Sequence, residues 1–588
     1  MARRLEILDK PVPEPLKAAL RAVRRHLWFA FGFSALVNIL YLAPTLYMMQ
    51  VYDRVIPTGG IMTLVFITAV IVFALATLAG LDYIRGRLLI RAGLRLDRQL
   101  AGQVLTRLSS QLRPGQPGSL RISQAMREFD SFRQVMTGPG ALALFDAPWT
   151  PIYLLFTFML NPWLGLLTLT GGIILLLLAI ANERSNKQRL QQASEASAAA
   201  YVAQEAVSAN AETVRALGMR RALVTLQLQQ RHKATEIQAQ AQFVGGRYQG
   251  AIKFLRLVLQ SLALGTGAYL AVERQISSGA VIAASVLLSR ALQPIEQVVG
   301  AWSGIVSARH AFTTLVELFD RYPDEPERTL LPPPKGMIQV EGVTNRMPGA
   351  DSYVLRNVSF SVQPGETVGV VGPSGAGKTT LARVLAGALL PDYGVVRLDS
   401  ADLRDWDAER LGRYMGYLPQ DSGLFAGSVR DNISRFERWN GGDVEDIDPR
   451  VIAAAEAAGA HELILRLPEG YDTMLGAGGR GLSAGQAQRV ALARALYRDP
   501  PVMVLDEPNS HLDSEGEAAL LKVLRAVKAR GATVIIIAHR TGVLTSADKL
   551  VVMRDGMVDL FGPREEVVAR LSQPEPKLPR TPAPADAG

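Results

Sequence analysis

Gly372-Pro373-Ser374-Gly375-Ala376-Gly377-Lys378-Thr379-Thr380 places glycines, a lysine and hydroxyls in one short run. A β-type segment, Thr367 to Val371, leads into it and a helix-forming segment follows. Glycines let successive backbone N–H groups turn inward around phosphate oxygens, and the start of the following helix adds positive potential. In the spacing Gly-x4-Gly-Lys-Thr, Lys378 would reach the β- and γ-phosphates of a nucleoside triphosphate such as ATP, and Thr379 would ligate Mg²⁺. Downstream, PVMVLDEP (residues 501–508) is an apolar strand ending in two acids. Asp506 would hold the Mg²⁺ shell and Glu507 would polarise an attacking water. Phosphoryl transfer needs such positioning and charge neutralisation more than covalent help.

Three further segments follow the order of one family. GLSAGQAQRVALARAL (Gly481 to Leu496) resembles the ABC signature, with Ala484 where a glycine is usual. GYLPQD carries Gln420 at the Q-loop position, and IIIAHR carries His539 at the switch-histidine position. Together the segments resemble an ABC ATPase domain. The resemblance implies Glu507, His539 and Gln420 as catalytic residues and Thr379, Gln420 and Asp506 around Mg²⁺. It also implies that ATP lies between the phosphate loop of one domain and Ser483, Gly485 and Gln486 of another. Each chain has one of each, so a homodimer with two composite sites is expected. His511-Leu512-Asp513 occupies the D-loop position. Many such domains stack adenine on an aromatic residue, but Met347 stands there and Tyr353 is shifted.

These elements need a scaffold, and the 588-residue chain divides its composition sharply. Uncharged runs cover Leu27 to Tyr52, Val55 to Leu81 and Ala147 to Asn182. A bilayer crossing needs about 20 residues, so the third run is long enough for a hairpin, broken at Asn161-Pro162. Two shorter runs, Leu257 to Val272 and Gln275 to Ser289, complete six spans. VYDRVIPTGG reads as a tight outer turn between the first two. Residues 85–137 and 184–249 read as long helix-rich cytoplasmic excursions.

The net charge of +9 could point to nucleic acid, but its placement argues against that partner. Basic residues crowd residues 1–26 and 85–133, beside apolar spans, the pattern of loops kept on the inner side. With no cysteine, a disulfide framework, a cysteine zinc cluster and a cysteine nucleophile are excluded. Asp146, Arg290 and Glu296 lie in or near the spans and read equally as interfacial residues or as cavity-facing ones. The expected organisation is a cytoplasmic segment (1–26), a transmembrane domain (27–320), a linker (321–336), a nucleotide-binding α/β domain (337–572) and a disordered Pro-rich tail (573–588).

The phrases PTLYMMQVYDRVIPTGG, FDAPWTPIYLLF, AVIAASVLLSRALQPIEQ and LDEPNSHLD are similar to type I secretion ABC transporters of the protease and lipase exporter group. That resemblance implies an inner-membrane dimer with its ATPase domains in the cytoplasm. It would move an unfolded polypeptide bearing a C-terminal signal, together with a periplasmic adaptor and an outer-membrane channel. With only about 26 residues before the first span, no room is expected for an N-terminal peptidase domain. REFDSFRQVMTG and AETVRALGM lie where exporters place short coupling helices, though ordinary solvated helix turns would read the same. A lipid or drug flippase, and an ATP-gated channel or non-hydrolysing regulator, are the competing readings.

Overall fold

The structure is a computed structural model that describes residues 11–110, 118–322, 328, 330–346, 352–512, 514–538 and 541–572. They fall into two compact units that divide near residue 324.

The first unit is helical. Six of its helical stretches are long and apolar enough to cross a membrane among the described residues: Glu14–Thr58, Ile61–Ser109, Pro139–Leu160, Pro162–Tyr201, Arg220–Val272 and Ser278–Gly300. At 1.5 Å per residue, the 53 residues of Arg220–Val272 extend about 80 Å, far beyond the ~30 Å of hydrocarbon. The helix-rich excursions are therefore continuations of the spans. Pro162–Ala209 and Arg220–Val272 pack along one another, as do Glu14–Leu40 and Ile61–Ser110. Asn161 makes the expected break: its side chain accepts a hydrogen bond from Trp163 N at 2.9 Å, capping the helix that Pro162 opens.

The outer turn is shorter than VYDRVIPTGG. Helix persists through Val51–Val55, which is π-helical, and on to Thr58, and the reversal falls at Gly59, with φ +61°. Pro57 cannot donate a backbone bond to the preceding turn, and a π-bulge absorbs such a loss without ending the helix. The bulge presents Asp53 to the start of the sixth span. Its carboxylate accepts from Ser277 Oγ at 2.5 Å and from Gly279 N at 2.7 Å.

The charges within the spans are engaged inside the bundle. Asp146 ends Pro139–Asp146, just before the turn Ala147–Trp149 that interrupts the third span. It accepts from Arg85 Nη1 at 2.6 Å and from Asn38 Nδ2 at 2.9 Å, and Ser34 Oγ also donates to it. Tyr153 OH donates to Asn38. Glu296 pairs with Arg256 at 2.9 Å, and the Arg290 guanidinium lies 4.2 Å from the Tyr41 ring centroid.

The two expected coupling segments differ. AETVRA forms a separate six-residue helix, Ala211–Ala216, between two long ones. REFDSFRQVMT is instead the last part of the 20-residue helix Gly118–Thr137. No glycine or proline falls between Gly118 and Gly138 to break it.

Among the described residues, the second unit contains three sheets. Tyr353–Val362, Ile338–Arg346, Tyr393–Leu398 and Ala401–Asp402 form an antiparallel sheet in that order. Gly427–Ser428 pairs with Met474–Leu475. The main sheet runs Met557–Pro563, Lys549–Arg554, Thr367–Val371, Thr533–Ile537, Val502–Asp506, Met415–Leu418, and only its first pair is antiparallel. Val502–Asp506 and Thr533–Ile537 are buried along their whole length. That is why these strands are continuous Val/Ile/Leu runs without alternation. Thr367–Val371 and Val502–Asp506 both deliver their C-terminal ends to one edge of this sheet, where open α/β sheets bind ligands.

Candidate active site

The phosphate loop leaves Thr367–Val371 and enters the helix Lys378–Leu385. Gly372, Gly375 and Gly377 have φ of +155°, +83° and +90°. A Cβ at Gly372 would lie 2.2 Å from the Met553 carbonyl oxygen, and one at Gly377 would lie 2.8 Å from that of Val354. Both positions therefore exclude a side chain, whereas Gly375 faces open space. Pro373, Ser374 and Gly375 are exposed, Ala376 is buried, and Thr379 and Thr380 are half-buried on the first helical turn. Lys378 is buried, with Nζ donating to the carbonyls of Gly372 and Pro373 at 2.9 Å each. Burial lowers its pKa, opposed by the charges of Glu507 and Asp506.

Asp506 ends the buried strand Val502–Asp506, which Thr533–Ile537 separates from the phosphate-loop strand, and has no exposed surface. Neither carboxylate oxygen has a hydrogen-bond partner among the described residues. Burial pushes its pKa up to about 6; the nearby Thr379 hydroxyl and the charges of Arg383 and Lys378 oppose that rise, and Glu507 adds to it. Two orphaned, buried carboxylate oxygens beside a hydroxyl form a hard donor set that suits a small divalent cation. Glu507 follows in a left-handed conformation, φ +51°, with its N–H on the Ile537 carbonyl at 2.9 Å. The fold thus brings Lys378, Thr379, Asp506 and Glu507 into one electrostatic group. A positive cradle beside two acids can bind a polyphosphate and direct water at its terminal phosphorus.

Ser483 caps the helix Ala484–Leu496 in a reciprocal box: its Oγ accepts from Gln486 N, and Gln486 Oε1 accepts from Ser483 N. Gly485 approaches the D-loop segment so closely that a Cβ would lie 3.0 Å from the His511 carbonyl oxygen. Ala484 is exposed and fits as the first helical residue. Among the described residues, no hydrogen bond joins Ser483, Gly485 or Gln486 to the phosphate loop.

Gln488, which the motifs do not single out, ties the signature helix to the segment that carries Glu507. It is buried, its Nε2 donates to the Glu507 carbonyl at 3.1 Å, and its Oε1 accepts from His511 N at 3.1 Å. One amide thereby fixes the backbone on both sides of the bend between Glu507 and His511. Its sequence signal, a lone amide among the apolar residues of a buried helix face, is weak. Gln420 is exposed just beyond the strand Met415–Leu418. His539, Asp513 and Met347 lie outside the described residues. Tyr353 is engaged by Arg346, whose guanidinium lies 5.4 Å from its ring centroid.

A membrane unit of six long helices and a parallel-sheet ATPase unit, joined in one chain, define an ABC transporter half. Family profiles agree: one described as ABC transporter matches residues 355–510, and one described as ABC transporter transmembrane region matches residues 27–295. The chain is 41% identical over 563 residues to the type I secretion system ATP-binding protein PrsD of Rhizobium meliloti, covering 95% of each. It is 31% identical to the cyclolysin secretion/processing ATP-binding protein CyaB of Bordetella pertussis, over 91% of this chain and 75% of that protein. A solved bacterial Atm1-family ABC exporter with ATP bound shares the fold, with TM-score 0.78 and 24% identity over 93% of this chain and 96% of that one. The chain belongs to the type I secretion ABC transporters. It is a multi-pass membrane protein whose second unit is an ATP-binding ABC ATPase domain.

Proposed function

We propose that this chain is the ATP-hydrolysing inner-membrane component of a type I secretion system, exporting an unfolded polypeptide with a C-terminal signal. The observation that carries the reading is the meeting of Lys378, Thr379, Asp506 and Glu507 at the ends of two buried strands, in a chain similar to secretion proteins along nearly its whole length. Two copies form the working unit, because each has one phosphate loop and one signature helix. Gly372 to Thr380 of one subunit and Ser483, Gly485 and Gln486 of the other then enclose ATP. A periplasmic adaptor and an outer-membrane channel complete the path.

In this scheme Lys378 exchanges its loop carbonyls for phosphate oxygens and neutralises their charge. Glu507 orients the attacking water and accepts its proton, and His539 and Gln420 contact the terminal phosphate. Thr379, Asp506 and Gln420 would hold Mg²⁺, which supplies charge neutralisation between the β- and γ-phosphates when bound. The test is ATPase activity in proteoliposomes. A polypeptide carrying a C-terminal secretion signal should stimulate turnover; stimulation by lipids or small amphiphiles alone would replace this reading with a flippase.

A further inference from the structure

The membrane unit holds a half-open cavity of about 670 Å³ away from the nucleotide site, between the helices Gly118–Thr137, Pro162–Ala209 and Trp302–Arg321. Its lining includes Arg127, Lys187 and Arg309 against one acid, Glu128. None of the three cations makes an ion pair or side-chain hydrogen bond among the described residues; Arg127 only stacks on Tyr201, at 5.7 Å. Burial raises the pKa of Glu128, opposed by His310 and Arg127, so the single counter-charge is itself disfavoured. Ser131, Ser194, Ser197 and Ser307 add hydroxyls that can both donate to and accept from a peptide backbone.

Its depth separates polypeptide from lipid. The uncharged run of the fourth span ends at Asn182. Along the same helix, Lys187 lies about 8 Å further on and Tyr201 about 28 Å further on. The cavity therefore begins past the hydrocarbon edge and extends beyond the headgroup layer, into cytoplasm.

We infer that this cavity is a binding site for an acidic stretch of the unfolded polypeptide, received before it enters the spans. The inference rests on the export function proposed above and names the charge class of its substrate. Unpartnered cations attract an acidic chain and raise its local concentration. Serine hydroxyls match backbone groups without reading sequence, as an exporter of unfolded chain requires.

The test uses the full-length protein in nanodiscs and a fluorescein-labelled peptide of alternating Glu and Ser, compared with a Lys and Ser peptide of the same length. The wild type should bind the acidic peptide more tightly, and less so as salt rises. Lys187→Gln with Arg309→Gln should weaken that binding about tenfold, the combined effect of partly exposed ion pairs, while basal ATPase activity stays unchanged. Lys187→Glu should move preference toward the basic peptide, which a folding defect would not do. Equal binding by the wild type and the double variant would overturn the inference. So would displacement of the peptide by phosphatidylglycerol nanodiscs, which would assign the cavity to a lipid headgroup. Wild-type export rates in a double variant would sink the cavity's role and leave the secretion reading standing. Variant-sensitive peptide binding in a wild type that exports no polypeptide would remove the secretion reading and, with it, this ligand's identity.

Discussion

Arg85 and Asp146 meet at 2.6 Å with side chains only 5% and 14% exposed, joining the second span to the interrupted third. Arg85 also reaches Asp82 at 2.7 Å, so its guanidinium is shared between a buried and a half-exposed carboxylate. Removing one member of a buried pair leaves an uncompensated charge and costs about 3–5 kcal/mol. Asp146→Ala should therefore lower the thermal midpoint of the solubilised protein markedly, and Arg85→Met with Asp146→Leu should recover most of the loss. A double variant as unstable as the single would contradict this account.

Gln488→Leu keeps approximate volume but leaves the Glu507 carbonyl and His511 N–H without their amide partner. Each orphaned group costs about 1–3 kcal/mol. The bend that carries Glu507 should lose its geometry, so kcat is expected to fall more than tenfold while ATP affinity stays near the wild-type value. A change confined to KM would place Gln488 in binding instead.

Asp506 sets a pH dependence. Its pKa rises from 3.8 to about 6 on folding. The folded state holds this proton more tightly than the unfolded state, so stability is lost as pH climbs from about 4 through about 6. The penalty above that window is about 3 kcal/mol. Without nucleotide or divalent cation, Asp506→Asn should melt at a higher temperature than the wild type at pH 7 and at nearly the same temperature at pH 4. An unchanged difference across that range would show that the carboxylate is not strained.

Lys378→Ala should abolish tight ATP use while leaving membrane insertion and dimer assembly intact, because the loop keeps its shape through Gly372 and Gly377. Glu507→Gln should still bind ATP, with phosphate release falling by orders of magnitude. Filter binding and phosphate assays on the two variants separate the roles; full turnover by Glu507→Gln would remove the assigned base.

Ser374→Cys and Gly485→Cys, introduced together, should crosslink between subunits when ATP is bound. Gel mobility should shift from one chain to two. A disulfide that forms only within one chain would break the composite-site picture.

The nucleotide cradle is legible in sequence because its chemistry depends on contiguous residues. Gly372 and Gly377 exclude any Cβ, and a lysine next to a hydroxyl has few other uses behind a β-strand. Asp506 is legible for a related reason, since two acids ending a fully apolar strand are costly unless they work. The buried apolar strands Val502–Asp506 and Thr533–Ile537 follow from burial, and the six candidate spans follow from the length of their apolar runs. Relations between distant residues are not written locally. Gln488 acts through Glu507 and His511, both about twenty residues away, and Arg85 finds Asp146 across sixty. Their value appears only when helices pack. The π-bulge at Val51–Val55 was hidden because Pro57 reads as a turn former, while the preceding apolar helix is strong enough to carry the chain past it.

Asp53, brought round by that bulge, grips the first turn of the sixth span through Ser277 and the Gly279 amide. A Cβ on Gly279 would sit 2.6 Å from the same carboxylate, so the grip admits no thicker residue. The end of the first span and the start of the sixth are thereby buckled together. Any movement that parts the two spans at this end has to give up both of these hydrogen bonds together, so the pair moves as one body for as long as they hold.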